Sequence, residues 1–213
     1  MENDGLAIII PAYNESITIQ NVIISVIKYA DVIVVDDGST DDTARLAKLV
    51  GAKVISQKNE GYDSALSKGF EYARNLNYKY LITLDADGEH DTNNLEDFIK
   101  RLKLGHDVVV GIRKEKRRIS EKIFGYLTVI KYGIIDPLCG LKGYSINVYN
   151  ELGYFDSYNS IGTELLLYAA RKKKQISQIQ LVQNTTRKDS RFGNLIIGNF
   201  KIMRSLLIHL LIN

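Results

Sequence analysis

Apolar residues along this chain fall into short runs separated by amphipathic stretches, and that alternation is the first thing the sequence offers. Leu6–Ile10 reads as a buried strand stopped by Pro11, and helical spacing follows from about Ser16 to Tyr29, with Ile19, Val22, Ile23, Val26 and Ile27 on one face. Val32–Val35 predicts a second strand, a helix capped by Thr40 or Asp41 runs to Val50, and Lys53–Ser56 predicts a third strand. A helix over Tyr62 to Asn75 leads to a fourth strand, Tyr80–Leu84. Leu95, Phe98, Ile99 and Leu102 then repeat at i, i+3, i+4 and i+7, and Asp107–Gly111 predicts a fifth strand. Five strand–helix alternations argue for an α/β domain built on a mostly parallel sheet.

Past Gly111 the rhythm breaks. A basic, helix-like segment from Lys116 to Ile135 precedes a strand near Lys142–Ile146, a helix from Gly162 to about Lys173 and a strand near Ile176–Val182. Residues 194–213 form an apolar segment punctuated by Lys201, Arg204 and His209, set apart here as an amphipathic helix following a domain of residues 1–193. A chain of 213 residues can bury one substantial core. Net charge is +3, too small to argue for nucleic acid, and Cys139 is the only cysteine, so no internal disulfide or thiolate metal site is available. No signal peptide is visible, and no run of about 18 uninterrupted apolar residues reads as a bilayer span. A cytoplasmic chain is expected.

Three strand ends carry the candidate chemistry: Pro11-Ala12-Tyr13-Asn14-Glu15, Asp36-Asp37-Gly38-Ser39 and Asp85-Ala86-Asp87-Gly88-Glu89-His90. Each alone could be a turn. Together they place carboxylates at the carboxyl ends of strands, where open α/β sheets bind ligands. If extended backbone continues past Leu84, then Asp85, Asp87 and Glu89 point the same way and converge on one cation. Hard oxygen ligands suit Mg²⁺ or Mn²⁺. Neither GxGxxG nor GxxxxGK[ST] occurs, so no glycine loop is available to cradle phosphates.

The order PAYNE (11–15), DDGST (36–40), NEGYDSALSKG (59–69) and DADGEH (85–90) resembles the family 2 inverting glycosyltransferases of GT-A fold. Gly111-Ile112-Arg113, Arg117 and Arg118, Asp136 to Gly140, the helix bearing Glu164, and Arg187 with Ser190-Arg191 resemble the polyprenyl-phosphate sugar transferases of dolichol-phosphate mannose synthase type. The resemblance implies a nucleotide-sugar donor lined by Pro11, Tyr13, Glu15, Asp36 and Asp37, with Asp85 and Asp87 facing sugar, diphosphate and metal. Glu89 stands where that branch usually has Gln. Arg113, Arg117, Arg118, Asp136, Arg187, Ser190 and Arg191 would line a polyprenyl-phosphate acceptor. Asp87, Arg113, Arg117 and Arg187, with Glu164 on the acceptor side, would be the catalytic set.

A phosphate acceptor is already largely a dianion near neutral pH and needs cations rather than a base, and arginine forks suit it. The alternatives are a carbohydrate hydroxyl acceptor, which would need a carboxylate base such as Glu164, and a non-catalytic nucleotide-sugar binding module. Apolar stripes beside basic clusters, Ile119 to Ile135 and Leu195 to Ile212, fit either core helices, a homo-oligomer seam or helices lying on the cytoplasmic membrane face. Peripheral membrane attachment is the expectation.

Overall fold

The computed structural model describes residues 5–88, 92–114, 118–182 and 195–211. Within these residues seven strands form one sheet: β1 (Leu6–Ala12), β2 (Asp31–Asp36), β3 (Lys53–Ser56), β4 (Tyr80–Thr83), β5 (Val108–Ile112), β6 (Lys142–Ser145) and β7 (Ile176–Gln180). Their order is β3-β2-β1-β4-β6-β5-β7, with β6 antiparallel to both neighbours and the other pairings parallel. The GT-A-like mostly parallel sheet flanked by helices expected from the sequence is therefore present. The chain moves outward from β1 to β2 and then returns to β4 on the other side, which opens a crevice at the carboxyl ends of β1 and β4.

Among the described residues eight helices cover the sheet: α1 (Ile19–Val26), α2 (Thr43–Leu49), α3 (Tyr62–Asn75), α4 (Leu95–Lys103), α5 (Ile119–Tyr132), α6 (Ile146–Leu152), α7 (Glu164–Arg171) and α8 (Leu195–Leu211). Burial divides the core between the two faces. Ile8, Ile10, Val32, Val34 and Ile82 pack on α1 and α4, while Ile9, Val35, Phe70, Tyr144 and Phe155 form the other side with α3 and α6. Phe70 and Phe155 stack with centroids 4.6 Å apart. Gly69 lets α3 approach the sheet closely, since a Cβ there would stand 2.5 Å from a methyl of Ile9. α8 joins the same core through Ile202 and Leu206.

The strand expected to stop at Pro11 runs on to Ala12. Its ladder to β4 ends at Ile9, and the Ala12 carbonyl accepts from Asp37 on the β2 side. Pro11 therefore points its missing donor toward a flank with no ladder to break. α6 is a helix the sequence reading lacked. It is only seven residues long, started by Ser145, whose hydroxyl accepts from the Asn147 amide, and closed by Gly153 at φ 90°.

Candidate active site

The floor of the crevice is made by two loops stitched together. The Asn14 amide donates to Ser39 Oγ at 3.0 Å, Asn14 Oδ1 accepts from the Thr40 amide at 2.8 Å, and the Glu15 amide donates to Thr43 Oγ1 at 2.7 Å. Asp41 accepts from the Ser16 amide and from Thr43. Burial would raise its carboxyl, but the hydrogen bonds from Thr43 and Ser16 outweigh it and hold Asp41 down at about 2. Neither Asn14 nor Asp41 was among the donor-lining residues expected from the sequence. They join the ends of β1 and β2 into one frame.

On that frame Tyr13 is half exposed and Pro11 lies in β1. Glu15 is buried and accepts from the Thr18 hydroxyl at 2.9 Å. The buried Asp36 accepts from the Ser39 amide. Asp37 is held more firmly: Oδ1 accepts from Gln57 Nε2 at 2.8 Å and the Glu60 amide at 2.9 Å, and Oδ2 from the Gly61 amide at 2.8 Å. The carboxylate expected to line the donor thus anchors the turn that starts α3, with little acceptor capacity left over.

β4 ends at Thr83 and residues 86–87 form a turn, with Gly88 at φ 76°. The extended backbone assumed for 85–89 does not continue, so alternation cannot aim Asp85 and Asp87 alike. Asp85 and Asp87 are both partly buried on that turn, and Asp85 Oδ1 accepts from Tyr62 Oη at 3.2 Å. Glu89 lies outside the described residues. No group of three potential metal-binding side chains occurs among the described residues. The two described carboxylates are the oxygen donors that Mg²⁺ or Mn²⁺ prefers, and in donor chemistry they fit such an ion.

Asp85 also rests directly on Gly140. A Cβ at position 140 would overlap the carboxylate, with the farther oxygen at only 2.6 Å. The segment is fixed from beneath, because Thr83 Oγ1 donates to the Gly140 carbonyl at 2.7 Å. Beside it Cys139 is fully buried, and burial pushes its thiol up to about 12, leaving it inert.

The basic side begins at the end of β5. Arg113 forks onto Asp136, with Nε to Oδ2 at 2.8 Å and Nη2 to Oδ1 at 2.9 Å, and Glu121 stands 3.5 Å from Nη2. Asp136 is 1% exposed, so Arg113 reaches the site already matched to a carboxylate. Arg118 caps the start of α5, is buried, and lies against Gly198 of α8. Its guanidinium is thus packed between two helices, away from the open phosphate contact expected of it. Arg117, Arg187, Ser190 and Arg191 lie outside the described residues.

Glu164 opens α7 and is 5% exposed. Its oxygens accept from the Ser157 amide at 2.6 Å and from Ser157 Oγ at 3.0 Å. Burial raises its carboxyl above the usual range, while the Ser157 hydrogen bonds oppose the shift.

α8 grips the loop before α7. Arg204 Nη1 donates to the Tyr158 carbonyl at 2.8 Å, Ser205 Oγ to the Ser160 carbonyl at 2.9 Å, and His209 bonds Tyr158 Oη and Thr163 Oγ1. Burial, with a smaller contribution from the Arg171 charge, pushes the His209 imidazole down to about 4. The unfolded chain takes up this proton below about 6.5, and the folded chain only near 4. Over that interval the unfolded state binds more protons, so stability falls with falling pH. The stability margin of the native chain over His209→Gln is expected to be greatest above pH ~6.5 and to shrink toward pH ~4, because glutamine lacks the linkage. Urea unfolding at neutral and acid pH measures this, and a margin that widens in acid refutes it.

The pattern for "Glycosyl transferase family 2" matches residues 7–161, from the first strand to the loop before α7. This chain belongs to that family. Among relatives of the glycosyltransferase, AglJ of Haloferax volcanii is 35% identical over 182 residues, covering 79% of this chain and 59% of its own length. The UDP-N-acetylglucosamine–dolichyl-phosphate N-acetylglucosaminyltransferase of Methanococcus voltae is 27% identical over 97% of this chain and 96% of its own. Among solved structures, glucosyl-3-phosphoglycerate synthase of Mycobacterium tuberculosis, bound to Mn²⁺ and UDP-glucose, aligns with a TM-score of 0.79 at 22% identity, covering 96% of this chain and 78% of that one. At that identity the likeness speaks to the fold.

Proposed function

We propose that this family 2 glycosyltransferase moves a hexose from a nucleoside diphosphate, of the GDP-mannose or UDP-glucose kind, onto a polyprenyl or dolichyl phosphate with inversion, in the manner of a dolichol-phosphate mannose synthase. The state of Glu164 is the observation that carries the reading. A hydroxyl acceptor needs a general base, and the base candidate read from the sequence is nearly inaccessible and bonded through both oxygens to Ser157. A phosphate dianion needs none. The relative named for a dolichyl-phosphate acceptor, matched over almost its entire length, supports the same direction.

In this reading Pro11, Tyr13, Glu15, Asp36 and Asp37 frame the base and ribose, while Asp85 and Asp87, with Glu89, hold Mg²⁺ or Mn²⁺. When bound, the ion supplies Lewis-acid stabilisation of the departing diphosphate. Arg113, kept in orientation by Asp136, presents its remaining N–H edge to the acceptor phosphate, with Arg117, Arg187, Ser190 and Arg191 completing the cradle. Glu164 keeps the acceptor-side loop in place.

The exposed Ile119, Tyr126 and Ile130 of α5, and Phe200 and Leu207 of α8, give a surface that suits peripheral attachment to the cytoplasmic membrane face, close to a lipid acceptor. Among the described residues no helix is long and apolar enough to cross a membrane. Residues 1–193 then act as the catalytic domain and 194–213 as the helix that adds the lipid-facing surface.

The test is a panel of GDP- and UDP-sugars with Mn²⁺ or Mg²⁺, offered polyprenyl phosphate or an oligosaccharide, following lipid-linked and free product. Transfer to the phosphate alone is the expected result. Transfer only to the oligosaccharide overturns the acceptor, and donor binding with no turnover on any acceptor overturns the enzyme reading. Asp87→Asn is expected to raise the Mn²⁺ concentration needed for half-maximal transfer, and an unchanged requirement removes Asp87 from the metal site.

A further inference from the structure

Lys142, the first residue of β6, is 3% exposed, and no step described so far uses it. Lysine is rarely buried so fully without a partner that justifies the desolvation. Its Nζ donates to the Gly162 carbonyl at 3.0 Å. Burial pushes the ammonium toward neutrality, and the nearby Asp85 and Asp136 carboxylates pull it back, with Arg113 opposing them. β6 places it there by register: Lys142 lies opposite Thr83 of β4, two residues before Asp85, and opposite Val110 of β5, three before Arg113. The cation thus sits between the donor-side turn and the acceptor-side arginine.

The carbonyl it holds belongs to a strained loop. Ile161 has φ 61° and Gly162 φ 64°. A β-branched residue in the left-handed region is costly, and such conformations persist where surrounding contacts over-determine them. Here Asp63 of α3 accepts from the Ile161 amide at 3.1 Å and the Gly162 amide at 2.6 Å. Its neighbour Tyr62 is the residue that donates to Asp85. The contacts form a circuit: Asp85 to Tyr62, along the backbone to Asp63, across to the 161–162 loop, through the Gly162 carbonyl to Lys142, and electrostatically back to Asp85. The loop leads through Thr163 into Glu164.

We propose that Lys142 is a positioning residue for sugar transfer, its buried ammonium fixing the acceptor-side loop at 161–163 relative to the donor-side carboxylate Asp85. The inference rests on Asp85 facing the donor, and is independent of whether the acceptor is a phosphate or a hydroxyl. Without the ammonium, the strained carbonyl loses its donor and Asp85 loses a counter-charge at the same moment. The two halves of the site then lose their common reference.

The experiment compares the full native chain with Lys142→Met, which keeps length but not charge, and Lys142→Arg, which keeps charge. Amide exchange at Ile161 and Gly162 is read without substrate, and transfer is measured on whichever acceptor the native enzyme uses. For Lys142→Met, exchange at these two amides is expected to rise about tenfold, the equivalent of one lost hydrogen bond to a charged donor. Per folded molecule kcat should fall about 100-fold with donor KM changed less than about threefold, the pattern of lost alignment rather than lost binding. Lys142→Arg should recover a large part of both. Unchanged exchange at 161–162 in Lys142→Met overturns the proposal even if the native chain transfers to no acceptor tried. Faster exchange with kcat per folded molecule within twofold of native also overturns it, assigning Lys142 to stability alone. A native chain with no transferase activity, by contrast, counts against the functional reading only.

Discussion

Alanine at position 140 is expected to lower turnover about 100-fold, the scale of effect when a reacting group is displaced by about an ångström. Gly140 is not in a left-handed conformation, so alanine brings no backbone strain of its own. The new methyl would instead occupy the space of the Asp85 carboxylate. The 140 segment cannot back away, because its carbonyl is held by the buried Thr83 hydroxyl. Asp85 must swing, abandoning Tyr62 Oη and, if it faces donor and metal as proposed, its place in the site. Steady-state kinetics with the donor identified by the panel, alongside thermal unfolding, measures the effect. Activity within threefold of native would mean that Asp85 is not used where it stands.

Removing Arg113 should instead show first in stability. Arg113→Ala leaves the Asp136 carboxylate buried without its bidentate partner, although the Arg113 backbone amide at 3.1 Å still donates. Breaking one half of a buried pair costs about 3–5 kcal/mol, and urea unfolding should read a loss in that range. Lysine is expected to rescue little, since one ammonium cannot grip both oxygens. Arg113→Ala with Asp136→Asn removes both charges and should recover most of the stability. That double variant is the clean test of the acceptor: folded but lacking the cation, it should transfer poorly to polyprenyl phosphate. If it transfers as the native enzyme does, Arg113 serves structure and the phosphate lies elsewhere. A single alanine could not separate these outcomes.

Where one period dominated, the sequence carried the fold. α3 begins and ends at Tyr62 and Asn75 as expected, and β3 spans the expected Lys53–Ser56. The periodicity could not say that β6 would be inserted antiparallel between β4 and β5, because strand order is decided by tertiary packing. That insertion brings Gly140 under Asp85 and Lys142 between the two halves of the site, so neither was legible as a site residue. Lys142 looked like an isolated charge in an apolar stretch, LCGLKGY, and only its burial gives it meaning. The geometry of the acidic motif was misread, since a turn with Gly88 replaces the extended backbone that alternation requires. Asp37 was recognisable by its position in DDGST, but its three hydrogen bonds come from residues 57–61, a contact that no spacing rule reveals.

The grip of α8 on the 158–163 loop has a consequence for the order in which the enzyme becomes competent during synthesis. β1 to β4 and the loops joining β1 to β2 are complete within residues 6–88, and the Asn14–Thr40 stitch closes over 26 residues. The 158–163 loop is bonded back across 98 residues to Asp63 and forward across 46 residues to His209, so its contacts are the slow, non-local kind. A chain emerging N-terminus first can therefore assemble this N-terminal half early. It fixes the 158–163 loop, which leads into Glu164, only once α8 has left the ribosome and docked.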